Sequence, residues 1–452
     1  MATSHAATRD SETRTRATEQ LVTSLWIQHS TAFNLLILTL TSLRVRTPSM
    51  ASTSAQQPRL ITLHFPNLVR VAGETIEGHV DLNLPLARKD GLETLQIELR
   101  GVIETQIYKR YTHAGTWYTE TLPLFSLKES LWLPGATPNE TNTDTFSCPF
   151  RFTIPDNLPP SFYHTCATIG YSLEIVGERS SGKKRRLRRS FPVTSAASHR
   201  QLLTKESLRQ GWTGPWREIK HDQKIRQGLW GDYSHVSATL SIPELPFFPI
   251  ATPIPYSFHI VTETKTLGRS ESNNSLFPTP PTQSSKLTQV LHRITDYRVR
   301  DCDTIFNDNI YETFDLQKAQ GLADDTVECT PAMEAVVDEP EWIPNDTKDR
   351  GIWRRSVRFT STITFPFAPT FSGKTLVWQY TLQFVVPFPG LKNDLSLETP
   401  IKLGPGFARP PPGSSNLTYA DVLPAGPAPN MLDLPPPAYW EKEEHDWDDE
   451  KH

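Results

Sequence analysis

The sequence predicts an all-β protein, two antiparallel β-sandwich lobes flanked by disordered N- and C-terminal tails. Apolar residues recur at every second position through long stretches, which is the period of a half-exposed strand. The chain carries 39 prolines against 22 glycines, and proline removes a backbone donor and breaks helix interiors. At 452 residues the chain exceeds one ordinary core, so two domains plus flexible segments is the expected organisation.

Residues 1–57 read as a disordered extension. Its apolar run "FNLLILTL", Phe33 to Leu40, falls far short of the roughly 20 residues a membrane-spanning helix needs. Asp10, Glu12 and Glu19 spoil the acid-poor character of a transit peptide, and Met50 stands just before the first strand pattern as a second candidate start. The first lobe spans 58–195. In "TIEGHVDLNL", Ile76, Val80, Leu82 and Leu84 share one face, while Glu77, His79, Asp81 and Asn83 share the other. Leu95, Ile97 and Leu99 repeat the alternation, as do Ile169, Tyr171, Leu173 and Ile175. In "SSGKKRRLRRSFPV" the turn residues Ser180 to Gly182 separate two extended runs, the pattern of a hairpin.

Residues 196–232 read as a connector, holding at most one short helix before glycine and proline stop it. The second lobe, 233–405, opens with "HVSATLSIPELPFFPIATPIPYSFHIV" and resumes with "SVRFTSTITFPF". It closes with "LVWQYTLQFVV", in which Leu376, Trp378, Tyr380, Leu382 and Phe384 share a face. Two inserts interrupt it. Residues 264–292, rich in Ser, Thr, Asn and Pro, predict a loop too polar to order itself. Residues 301–349 carry 14 Asp or Glu against Lys318 and Lys348, which predicts an open, solvated loop. From 406 to 452 no apolar period survives, and the segment reads as a low-complexity, proline-rich tail with an acidic end.

No enzyme, cofactor or metal centre is expected. "SGKT" at Ser372 to Thr375 imitates the end of a phosphate-binding loop, but Ala368 stands where the first glycine belongs and a strand pattern follows. The chain has no G-x-S-x-G and no H-E-x-x-H. Cys148, Cys166, Cys302 and Cys329 form no C-x-x-C pair and read as buried structural thiols. His164 and Cys166 are alternate residues of one extended segment, with no base or orienting partner in view. The Asn139, Asn273, Asn345 and Asn416 sequons lack a signal peptide and read as chance matches. A net charge of -4 does not drive nucleic-acid binding, and no nucleic acid is expected as a partner.

Two short stretches carry the candidate chemistry. "KKRRLRR" puts Lys183, Lys184, Arg185, Arg186, Arg188 and Arg189 on the predicted hairpin. Such a ribbon suits anionic lipid head groups, at roughly 1 kcal/mol per cation near a charged leaflet. It suits equally a nuclear-localisation patch, docking onto the acidic 301–349 insert, or an edge strand kept soluble by its charges. "LPPPAYW" holds Pro436, Pro437 and Tyr439 in a Pro-Pro-x-Tyr pattern. The prolines are held near the polyproline II conformation before any partner arrives, so docking into an aromatic-lined WW-domain groove loses little backbone entropy.

The ordered set of motifs resembles the fungal α-arrestins, the arrestin-related trafficking adaptors. "VAGETIEGHVDLNL" (Val71 to Leu84) and "FRFTIPDNLPPSFYHTCATIGYSLEIVGER" (Phe150 to Arg179) carry the likeness in the first lobe, and "FPIATPIPYSFHI" with "LVWQYTLQFVVPF" in the second. It departs at 109–146, which reads as an insertion, and in the middle of the second lobe. The resemblance implies immunoglobulin-like lobes in the arrestin fold. It also implies a cytoplasmic adaptor, recruited to plasma membrane or endosomes, that links cytoplasmic regions of transporters or receptors to a WW-domain HECT-type ubiquitin ligase. Cargo ubiquitination, endocytosis and ubiquitin conjugation of the adaptor itself would follow. The alternative readings are an arrestin-fold scaffold in vesicle sorting or signalling that recruits no ligase, and a transcription regulator resting on the basic run.

Overall fold

The computed structural model describes residues 59–66, 69–111, 114–133, 144–228, 231–269, 276–316, 333–345, 349–409 and 448–449. The expected extension 1–57 and most of the tail, including Pro436, Pro437 and Tyr439, lie outside the described residues.

Period-two alternation builds the first lobe in this order: β1 (Ile61–His64), β2 (Arg70–Val71), β3 (Thr75–Asn83), helix α1 (Leu84–Asp90), β4 (Leu92–Tyr111), β5 (Ala114–Trp132), β6 (Thr145–Thr153), β7 (Phe162–His164), β8 (Ala167–Arg179), β9 (Lys184–Phe191) and β10 (Val193–Thr194). β1, β3 and β6 form one sheet, β9, β8, β4 and β5 the other. The buried phase of β3, with Ile76, Val80 and Leu82, shares one core with Leu95, Ile97, Leu99, Leu173 and Ile175. Leu84 departs from the expected strand face. Asn83 caps a helix there by accepting from the Leu86 amide at 3.0 Å, and Gly91 ends it in the left-handed region at φ 68°. Much of the stretch read as an insertion at 109–146 is strand among the described residues: β4 and β5 form one long hairpin from Leu95↔Trp132 to Tyr111↔Ala114, with register shifts between Leu95 and Gln96 and between Gly101 and Val102.

After β10 comes helix α2 (His199–Gln210), the short helix expected in the connector. Ser198 and Gln201 cap it reciprocally. The rest of the connector differs from expectation. β11 (Trp216–Arg226) is a full strand that pairs with β12 (Tyr233–Pro243) along its whole length, since Ile219 and Ile225 alternate with charged residues that an edge strand tolerates.

The second lobe continues with β13 (Phe248–Pro249), β14 (Ile254–Glu263), β15 (Leu267–Gly268), β16 (Thr288–Asp301), β17 (Thr304–Asp315), β18 (Glu334–Val337), β19 (Glu341–Pro344), β20 (Arg350–Ile363), β21 (Phe371–Ser372), β22 (Leu376–Val386), β23 (Leu395–Ile401) and β24 (Leu403–Gly404). One sheet runs β11-β12-β14-β20-β15, with β18 and β19 also on β20; the other runs β17-β16-β22-β21, with β23 on β22. Phe258 of β14 stacks on Phe384 of β22 at 4.9 Å between ring centroids, joining the two layers. Leu376, Trp378, Tyr380, Leu382 and Phe384 are all buried, as their shared face requires.

Among the described residues, both inserts contain packed or paired segments that their composition does not suggest. In 264–292, Leu276, Pro278, Pro280 and Pro281 are buried and β16 begins at Thr288. In 301–349, Thr304–Asp315 closes a hairpin with β16, and β18 and β19 add to β20. Ladder hydrogen bonds to an established neighbour hold these strands, so charged side chains remain on their solvent faces. Beyond the second lobe, β25 (Asp448–Asp449) pairs antiparallel with β9, Asp448 opposite Arg186 and Asp449 opposite Arg185.

Candidate functional site

The basic run folds as expected into the β8–β9 hairpin, turning at Gly182 with φ 76°. Its arginines are engaged by carboxylates that the linear sequence does not single out. Glu174 on β8, only 4% exposed, gathers Arg100 at 3.3 Å, Arg188 at 3.6 Å and Arg186 at 3.9 Å. Asp90, at the end of α1, holds Arg179 through two hydrogen bonds of 2.9 and 2.6 Å and meets Arg185 at 3.6 Å. A buried carboxylate needs such partners, since its desolvation is otherwise uncompensated. Lys183 and Lys184, at the hairpin tip, stay exposed. Arg189, further along β9, lines a cleft with Glu77, His64 and His79.

A second charged feature escaped the sequence reading. Arg70 and Glu74 are buried together, Nη1 donating to Oε1 at 2.7 Å, while Glu74 Oε2 accepts the Val71 amide at 2.9 Å. The Arg70 guanidinium lies 4.9 Å from the centre of the Phe65 ring. The signal was an i,i+4 Arg and Glu bracketing "VAG", where Gly73 turns at φ 83°.

The two lobes meet along β4–β5 and β16–β17. Thr105 donates to the Arg298 carbonyl at 2.8 Å, the Arg300 amide donates to Glu120 at 2.6 Å, and Tyr118 packs on Phe306 at 4.5 Å. At the centre, Phe162 of β7 stacks on Trp378 of β22 at 4.8 Å and 14°. Arg293 lies over Phe162 at 5.0 Å and over Phe314 at 5.3 Å, with Glu312 accepting from its Nε at 2.7 Å.

After β24 the chain returns to the first lobe. Ala196 bridges Phe407, the Ala197 amide donates to the Phe407 carbonyl, and Arg409 donates to Asp156. Lys205 of α2 donates to the Gly406 carbonyl at 2.6 Å and faces the Phe407 ring. Burial and the neighbouring Arg209 lower the Lys205 pKa from 10.5 to about 8. The folded state therefore binds fewer protons than the unfolded chain between those values, and stability rises with pH across that window. Lys205→Met is expected to remove this rise. Calorimetric melts at pH 8 and 10 should show the wild type gaining on the variant, and parallel behaviour would exclude the lowered pKa.

The catalytic imitations dissolve in the fold. "SGKT" is a turn between β21 and β22, closed by the Gly373 amide on the Leu376 carbonyl. His164 Nδ1 accepts the Cys166 amide in the β7–β8 turn, and burial lowers the His164 pKa. Cys148 is buried as expected, and burial with Asp81 pushes its thiol up to about 11. Cys302 instead lies exposed in the β16–β17 turn with φ 50°, and Cys329 lies outside the described residues. Among the described residues no helix is long and apolar enough to cross a membrane.

These features define a class: two packed β-sandwich lobes whose charged groups stabilise strands and lobe contacts. Residues 60–200 match the family model described as Arrestin (or S-antigen), N-terminal domain. Over those residues the first lobe is thus similar to the N-terminal domain of arrestins. Comparison with curated proteins gave no match.

Proposed function

We propose that this protein is an adaptor that links membrane cargo, a transporter or receptor, to a WW-domain HECT-type ubiquitin ligase. The observation that carries the reading is the Pro-Pro-x-Tyr sequence Pro436, Pro437, Tyr439 in a proline-rich tail downstream of an arrestin-like lobe. The prolines stack on the rings of a WW groove, and the Tyr439 ring inserts beside them. Chemistry belongs to the ligase. The adaptor raises the local concentration of ligase at cargo, so that cargo lysines are ubiquitinated and cargo is internalised. Peripheral contact with anionic lipid belongs to the same proposal and rests on Lys183, Lys184 and Arg189, because Arg185, Arg186 and Arg188 already meet Asp90 and Glu174.

Recombinant WW domains are expected to retain the wild-type chain and to lose it on Tyr439→Ala, with roughly tenfold or greater weakening, as for removal of a buried aromatic anchor. Equal, feeble capture of both would favour a scaffold that needs no ligase.

A further inference from the structure

We propose that His64, His79 and Asp81 form a binding site for a zinc-class divalent cation on the outer face of the first lobe. The register of β1 on β3 places His64 directly opposite His79. Asp81 follows His79 by two residues along β3, so strand periodicity puts all three side chains on the same face. On the opposite face Val80 and Leu82 are fully buried, which anchors the backbone that carries the donors.

The donor atoms are already close. His64 Nε2 lies 2.9 Å from Asp81 Oδ2, and the imidazoles of His64 and His79 stack with centroids 4.3 Å apart. One ligand atom from each of the three residues lies within 4.8 Å of the other two. A tetrahedral ion with bonds of about 2.0–2.2 Å to nitrogen and oxygen wants its donors about 3.3–3.5 Å apart. The His64–Asp81 edge opens by about half an ångström to admit the ion, and the exposed His79 ring rotates inward to complete the triangle.

The surroundings select the ion. Two imidazoles and one carboxylate suit zinc, cobalt, nickel or copper, whereas calcium and magnesium want oxygen shells. Glu77 is next on the same face and is held by Arg151 at 3.1 Å. Arg189 of β9 lines the same open cleft, of about 460 Å³, with Glu77 and both histidines. Three protein ligands leave a fourth position facing this cleft, where water or a partner's carboxylate can bind beside Arg189. The ion would tie β1, a four-residue edge strand, to the centre of its sheet. Because that register exists only in the folded chain, binding stabilises the fold by mass action.

The test uses the untagged full chain, stripped with chelator and titrated with cobalt(II) and then zinc(II). One equivalent of cobalt is expected to give visible absorption of a low-coordinate site and to be displaced by zinc. His79→Ala and Asp81→Asn should each weaken zinc binding at least about tenfold, the loss that disturbing even an orienting group produces. Zinc should raise the thermal midpoint of the wild type and leave that of His79→Ala unmoved. His221→Ala, an exposed histidine on β11, should behave as wild type. No bound equivalent, a His79→Ala variant that binds as the wild type does, or a thiolate-to-cobalt band pointing to cysteine would each overturn the site.

Discussion

Phe162→Ala is expected to lower stability by about 3–5 kcal/mol, the range for deleting a large buried aromatic side chain, and to split one unfolding transition into two. Phe162 belongs to the first lobe through β7 but spends its ring on the second, stacked on Trp378 and covered by the Arg293 guanidinium. Truncation leaves a void against Trp378 and uncovers one side of Arg293, itself only 3% exposed. The other contacts where β4–β5 meets β16–β17 are the tilted Tyr118–Phe306 ring pair and the polar pairs of Thr105 with Arg298 and Glu120 with Arg300, the polar ones contributing roughly 1 kcal/mol each. Lobes joined by those contacts alone should melt separately, as weakly coupled domains do. Phe162→Leu keeps most of the volume and should lose only about 1 kcal/mol. Differential scanning calorimetry reads both quantities, and a single undiminished transition for Phe162→Ala would remove the ring from its role as coupler.

The second large effect belongs to Glu74→Ala, expected to destabilise by about 3–5 kcal/mol because it strands a buried guanidinium. Glu74 performs two tasks at one turn, pairing with Arg70 and capping the Val71 amide. Arg70 has one further acceptor, the Pro66 carbonyl at 3.3 Å from Nη2, and its Nε has no hydrogen-bond partner. The pair sits where β2 runs parallel to β10, with Arg70 opposite Val193, so its loss should loosen the closing edge of the first lobe. Replacing both members, Arg70→Met with Glu74→Leu, should recover most of the loss, since apolar groups of similar volume remove the stranded charge. Urea denaturation of the two singles and the double gives the cycle. A loss under about 1 kcal/mol for Glu74→Ala would mean the pair behaves as a surface ion pair.

The candidate site was legible in the sequence to different depths. Pro436, Pro437 and Tyr439 lie outside the described residues, and the proposed ligand pattern rests on the sequence alone, as a linear motif needs no fold behind it. The basic ribbon was legible as charge but not as partnership. Glu174, Arg100 and Arg188 lie on three strands, and only their register brings the carboxylate under the guanidiniums. His64 and His79 are likewise 15 residues apart in the chain and become neighbours solely through β1–β3 pairing, so no linear metal spacing announced them.

Alternation in β3, β4, β8 and β22 by itself determined an all-β protein, which strands would form its cores, and the hairpin at Gly182. Each of those strands keeps its apolar side chains on one face, away from water, while polar residues fill the other, so the pattern is written into the letters. Only the tertiary structure decided that Trp216–Arg226 and Thr304–Asp315 are strands, that 276–281 packs down, and that Phe162 locks one lobe to the other. Edge strands draw their stability from a neighbour's backbone, and seams from residues distant in sequence. Neither leaves a periodic trace in the segment that forms it.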